Sequence, residues 1–330
     1  MSHIRATLIY ERLGIETYAR LLTYVCEGPV SPASGRTWSI AWRLTSLQAM
    51  DHVRRAFQPQ LRRPRALLAW EGWNDASDAA SGAIPYILRQ RDDPVPFAWI
   101  EPEEFYDFQV HRPQVEVDVG GTRSLSWPCT TATAIETDAG HDLVLVLGAE
   151  PNLRWKTYTR SVARLLAESD VESVVTLGAF IGQVAHTVAV PILGVATDPA
   201  LVEQYRLQTS NYQGLTGIIA VMLEACREIG IPAVSLWAGV PRYLAANSNP
   251  KAMLALLNVA QDVLDIEFDT SELEAATSEF ETKIDEAMAE NEEFSDYIQR
   301  LEENSAEMYS IDPTRGGKLI NEIEDFLEEL

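Results

Sequence analysis

Residues 67–86 read LLAWEGWNDASDAASGAIPY, and this stretch decides the fold. Leu67, Leu68, Ala69 and Trp70 form a short apolar run closed by Gly72, the pattern of a core strand. Asn74 or Asp75 is suited to cap a helix, and Asp78 falls in its first turn, where the macrodipole favours a negative charge. Ala76, Ala79, Ala80, Ala83, Ile84 and Ile87 recur at helical spacing. A strand, a turn and a helix over 75–90 are predicted.

Outward from this unit the same alternation continues. Strands are predicted over 97–100, 114–119, 123–127, 143–147, 173–177, 191–196 and 233–237, and helices over 155–169, 210–229 and 250–265. LVLVLG at 143–148 and SVVTLG at 173–178 are solidly apolar, as strands buried on both faces of an α/β sheet are. A three-layer α/β/α domain over 61–265 is expected. From 266 to 330 the chain is highly charged with a sparse apolar stripe at Leu273, Phe280, Ile284, Met288, Phe294, Tyr297 and Leu301, which suits amphipathic helices broken near Asn291. IDPTRGGK at 311–318 reads as a loop before a last helix over 319–330. Residues 1–60 read poorly as a folded unit. GPVSPASGRTW at 28–38 breaks structure, and Met50 offers an alternative start, so this extension is expected to be disordered or an artefact of start assignment.

The net charge is -23, and it is unevenly placed. Residues 1–65 hold ten Arg against four acids, whereas 262–330 hold 23 acids against four bases. Such acidity argues against nucleic acid and anionic membrane surfaces as partners. No apolar run approaches the ~18 residues of a membrane span and no signal-peptide pattern opens the chain, so a cytoplasmic location is expected. Cys26, Cys129 and Cys226 lack metal spacing and read as reduced thiols. No GxSxG, GxxxxGK[ST] or GxGxxG occurs, and no cofactor, metal or catalytic residue is expected.

EGWNDASDAA at 71–80 resembles the N-terminal signature of the PAC2 family, relatives of proteasome assembly chaperones. FYDFQVHRPQV at 105–115, SLSWPCT at 124–130 and DLVLVLGAEPNLRWKTY at 142–158 fit the same family in order. So do LGAFIGQVAHT at 177–187, YQGLTGI at 212–218 and IPAVSLWAGVPRYLAANSNPKAMLALL at 231–257, and the set resembles actinobacterial members. The resemblance implies a phosphorylase/hydrolase-like architecture, self-association with a trimer as the expected count, and proteasome subunits as partners. A phosphorylase-like fold does not itself confer that activity. The chain ends Glu328, Glu329, Leu330, without the penultimate Tyr of proteasome-inserting tails.

One candidate cleft follows. Glu71, Asn74, Asp75 and Asp78 sit at the C-terminal end of a predicted core strand, where α/β folds place ligands, with Trp73 beside them. Glu150 and Arg154, after the next apolar strand, are expected to point into the same cleft, and an Arg there suits an anion. Phe180 would reach the same rim. The plainer alternative is helix capping by Asn74 and Asp75, packing by Trp73 and an ordinary ion pair for Arg154. His186 is the histidine nearest a motif. The family pattern continues through Thr187 into an Arg where this chain has Val188, which weakens an anion site there. Trp237, Pro241 and Tyr243 suit a protein-binding rim, with core packing the plainer reading for Trp237 and exposure the reading for Tyr243. The reading is a non-enzymatic interaction factor similar to assembly chaperones. A ligand-binding protein or enzyme using the cleft is the alternative.

Overall fold

The computed structural model describes residues 52–117, 120–210, 212–289 and 292–303. The expectations for 1–51, for the loop over 311–318 and for the last helix lie outside these residues. Strands β1 (Val53–Arg55) and β2 (Arg65–Glu71) precede α1 (Ala83–Leu88), β3 (Pro96–Ile100) and a hairpin of β4 (Gln114–Val117) and β5 (Arg123–Ser126). Next come β6 (Thr130–Ile135), β7 (Leu143–Ala149), α2 (Trp155–Glu168), β8 (Ser173–Gly182) and β9 (Ile192–Ala196). Then follow α3 (Pro199–Gln204), β10 (Gln208–Thr209), α4 (Ile218–Ile229), β11 (Ala233–Pro241) and α5 (Pro250–Leu264). Helices α6 (Ser271–Ala289) and α7 (Glu292–Glu303) stand on either side of the expected break near Asn291.

Among the described residues nine strands make one mixed sheet in the order β1-β3-β6-β7-β2-β8-β11-β9-β10, while β4 and β5 form a separate two-stranded ribbon. β7, β2, β8 and β11 are mutually parallel. Alternate residues of β2 feed two cores, the mark of a sheet covered on both faces. Leu67 and Ala69 pack with α1 and α5 residues such as Ile84, Ile87, Leu256 and Leu257. Ala66, Leu68 and Trp70 pack with Tyr158, Val162, Ile219 and Met222 of α2 and α4. The Trp70 indole, fully buried, donates to Tyr158 Oη at 2.7 Å, so the largest core side chain keeps its polar edge satisfied.

Four expectations need correction. The helix after β2 does not begin at Asp75. Asp75 bridges to Ala179, a 3-10 turn covers Ala76–Asp78, and Ser77 and Asp78 hold φ of +59 and +52. Pro85 explains the late start, because a proline lacking its N–H fits only in a helix's first turn. The helix before β11 starts at Ile218 instead of 210. β8 and β11 run on past their expected ends at 177 and 237, to Gly182 and Pro241. At Gly178 the Trp237 ring lies so close that a Cβ would sit 2.7 Å from it, so this glycine marks close packing inside a strand. Finally, β1 pairs antiparallel with β3, so the sheet includes residues ahead of the expected boundary at 61.

Candidate functional site

β2, β7, β8 and β11 end on one side of the sheet, as does β3, which runs antiparallel to β6, itself antiparallel to β7. The loops leaving these strand ends build a single rim. Gly72, at φ +125, turns the chain out of β2, and a Cβ there would meet Glu150 Cβ at 3.1 Å. Glu150 then ties three loops together. Its Oε1 accepts from Asn74 Nδ2 and from the Ile218 backbone N–H, both at 2.8 Å. Its Oε2 accepts from the Trp73 N–H at 3.3 Å. A carboxylate at the first turn of α4 also meets the positive end of that helix. Glu150 is therefore a brace within the rim.

Asp75 turns to the other face of the sheet. Its Oδ1 accepts from the Ala80 and Ser81 N–H groups at 2.8 and 3.0 Å, capping the turn ahead of α1 in place of a helix at 76. Its Oδ2 is buried without a partner among the described residues. Burial, opposed by hydrogen bonding from the Ser81 side chain and from those two N–H groups, raises the Asp75 carboxyl to about 6. Glu71 is raised to about 7, first by burial and then by the neighbouring charges of Asp75 and Asp78. Asp78 accepts from Ser248 Oγ at 3.0 Å. Two carboxyls that titrate close to neutrality thus lie behind the rim, able to take or release protons. Among the described residues no group of His, Cys, Asp and Glu is arranged to hold a metal ion.

The remaining expected residues divide. Trp73 is exposed on the rim at 63%. Phe180 lies on β8 beside Pro191 and Gly239, partly buried. Arg154 pairs with Glu104, so the guanidinium does not join Glu71 and Asp75 as expected. His186 is buried in a junction with the C-terminal helices. Tyr243 Oη accepts from the His186 N–H at 2.7 Å and lies 2.7 Å from Nδ1, while Nε2 lies 3.2 Å from Asp285 of α6. This pattern assigns the Nε2–H tautomer, with Tyr243 donating to Nδ1. Lys251 donates to the His186 carbonyl and pairs with Glu281. Tyr243, expected on an exposed rim, packs instead beneath Tyr297 of α7, and Val188 joins Ile298 and Leu301 in that contact.

Sequence reasoning missed the apolar part of the rim. Among the described residues thirteen large hydrophobic side chains are exposed, and nine belong to this side of the sheet: Trp73, Val110, Val115, Val117, Leu125, Leu153, Ile181, Tyr212 and Leu215. Leu153 sits where its N–H meets the Phe105 carbonyl at 3.0 Å, and Leu215 reaches 83% exposure just before α4. The signal was present in QGLTG at 213–217, an apolar residue stranded among turn formers. A depression of about 510 Å³ lined by Val202, Arg206 and Leu207 lies elsewhere, at the β9–β10 end of the sheet.

An α/β/α domain with a braced apolar rim over buried carboxyls is thus the class of protein. A family model for the PAC2 family matches residues 69–288. The chain is 39% identical to a PAC2 family protein from Streptomyces avermitilis, over 71% of this chain and 99% of that one, at a TM-score of 0.66. A proteasome-assembly chaperone homologue from Mycobacterium tuberculosis is also 39% identical, with the same coverage and a TM-score of 0.65. An archaeal proteasome activator from Pyrococcus furiosus, 17% identical over 72% of this chain and 99% of that one, shares the fold at a TM-score of 0.56. No curated protein matches. This chain belongs to the PAC2 family. No helix among the described residues is long and apolar enough to cross a membrane.

Proposed function

We propose that this chain is a non-enzymatic interaction factor that receives unassembled proteasome subunits on its strand-end rim, in the cytoplasm. The observation that carries the proposal is the gathering of exposed apolar side chains on that rim, where Leu215 is the most exposed and Trp73 is the one exposed tryptophan among the described residues. Exposed apolar side chains gathered on one rim suit a docking site, and aromatic anchors dominate binding at such sites. The identity of the partner is supported by the 39% identity to the proteasome-assembly chaperone homologue.

Native mass spectrometry of the full chain mixed with proteasome α and β subunits from the same organism tests this. A stoichiometric complex is expected, weakened at least tenfold by Trp73→Ala combined with Leu215→Ser, given the ~2 kcal/mol scale of anchor residues. Absence of any complex overturns it. A second reading, ligand binding at the carboxyls, is favoured by the buried and unpartnered Asp75 Oδ2. A small molecule retained by the wild-type protein and lost in Asp75→Asn is the outcome expected of that reading.

A further inference from the structure

We infer that the carboxyls behind the rim bind the ammonium group of a small alkylamine, an inference that rests on the ligand-binding reading of Asp75. Glu71 ends β2 on the same face as Leu67 and Ala69, the face covered by α1 and α5. Asp75 and Asp78 reach that face from the turn ahead of α1, and Ser248, in the loop before α5, donates to Asp78. The charges that bear on Glu71 are those of Asp75 and Asp78, and the charge that bears on Asp75 is that of Asp78. Three carboxyls thus converge, and no Lys, Arg or His is ion-paired to Glu71 or Asp75 among the described residues.

What marks this cluster is an orphaned oxygen inside it. Asp75 is 7% exposed; its Oδ1 is taken by the Ala80 and Ser81 N–H groups, whereas its Oδ2 is buried with no partner among the described residues. A buried acceptor left unmatched is costly, and a donor brought to it recovers that cost. The surroundings select the donor. A neutral hydroxyl or amide would match one oxygen and leave the carboxylates facing one another. A guanidinium fork is best met by both oxygens of one carboxylate, and Asp75 has only Oδ2 to offer. Among the described residues no set of side chains is arranged for a metal ion. A primary ammonium is a compact charge with three N–H donors and no acceptor, so it can meet Asp75 Oδ2 and the Glu71 carboxylate together.

The neighbouring strand suits an alkyl tail. Leu177 and Ala179 of β8 belong to the same core, Ala179 bridges to Asp75, and Ile181, next on that face, is 55% exposed. The amine enters past Glu71, which is only partly covered, with Asp75 deeper. The titrating groups that face the site are Glu71 of β2 and Asp75 and Asp78 of the turn, and Ser248 does not titrate. Glu71 and Asp75 hold protons more tightly than usual, so an ammonium displaces those protons to solvent and binds more tightly as pH rises.

Isothermal titration of the full chain with n-butylammonium chloride tests the site, in about 0.15 M salt to screen the general attraction of a chain of net charge -23. The wild type is expected to bind at about millimolar concentration, about tenfold more tightly at pH 8 than at pH 5.5, with proton release seen as a heat that depends on the buffer. Tetramethylammonium, a cation without an N–H, is expected not to bind. Asp75→Asn keeps an oxygen to cap the turn and should fold. That variant and Glu71→Gln are each expected to weaken butylammonium binding at least tenfold with an unchanged circular dichroism spectrum. Absence of butylammonium binding, binding that both variants leave unchanged, or equal binding of tetramethylammonium overturns the inference. A neutral or anionic molecule retained by the wild type and lost in Asp75→Asn also overturns it, while leaving the ligand-binding reading in place.

Discussion

At the scale of single residues, burial governs the carboxyls behind the rim. Glu71 and Asp75 are raised to about 7 and about 6, from ordinary values of 4.5 and 3.8. Their folded forms hold protons more tightly than the unfolded chain does, so stability from these groups is greatest at low pH and falls as pH rises through those raised values. The penalty is fully present above about pH 7. Glu71→Gln should therefore stabilise the protein at pH 8, by as much as ~3 kcal/mol for a shift of this size, and much less at pH 5. Urea midpoints at the two pH values check this, and an equal gain at both removes the titration argument. The residue types of this site were legible in the sequence, but their directions were not. Glu150 looked like a cleft ligand, yet it accepts three N–H groups from two other loops. Bonding of that kind depends on contacts across 68 to 77 residues, beyond any local pattern.

Among the elements, the long apolar strands announced themselves, because LVLVLG and SVVTLG are too apolar to sit anywhere but in a covered sheet. Thr-rich β6 was missed, since TTATAI has no apolar alternation and owes its place to pairing on both sides. The start of α1 was misjudged because Pro85 weighs more than the alanine spacing before it. α6 and α7 were legible as amphipathic helices, but not what holds them. α7 rests on the small cluster of Ala185, Ile298 and Leu301, and the polar junction around His186 does much of the fastening. Tyr243→Phe deletes the acceptor for the buried His186 N–H, a loss of ~1–3 kcal/mol where a buried donor is left unmatched. Hydrogen exchange should accelerate over residues 271–303 while β2 and β8 stay protected. Unchanged exchange in α6 and α7 would show that the apolar contacts alone fasten them.

At the scale of the whole molecule, the early arginines stitch the first strands to the domain. Arg54, Arg55, Arg62, Arg63 and Arg65 pair with Glu101, Glu168, Asp142, Glu172 and Asp265. The Arg excess legible in the sequence therefore serves, in this segment, to match acids from distant parts of the chain. Asp142, pushed up by burial, is carried below the usual carboxylate range by its bonds to Arg62. Stability from this pair is present above the ordinary carboxylate pKa and is lost as pH falls through the lowered one. Arg62→Ala should lower the melting temperature at pH 7, with the gap closing below about pH 4, where the unfolded carboxylate takes up its proton. A gap constant with pH would detach Arg62 from Asp142. The layered fold was thus readable from apolar runs, while the rim was not, because exposure belongs to the assembled shape. The nine-stranded sheet itself ends in strands of three and two residues, β1 and β10. Edges so short give an incoming strand little ladder to extend, which guards against fibre-like stacking. The apolar rim thus lies at the strand ends, while the two edges of the sheet offer an incoming strand little backbone to pair with.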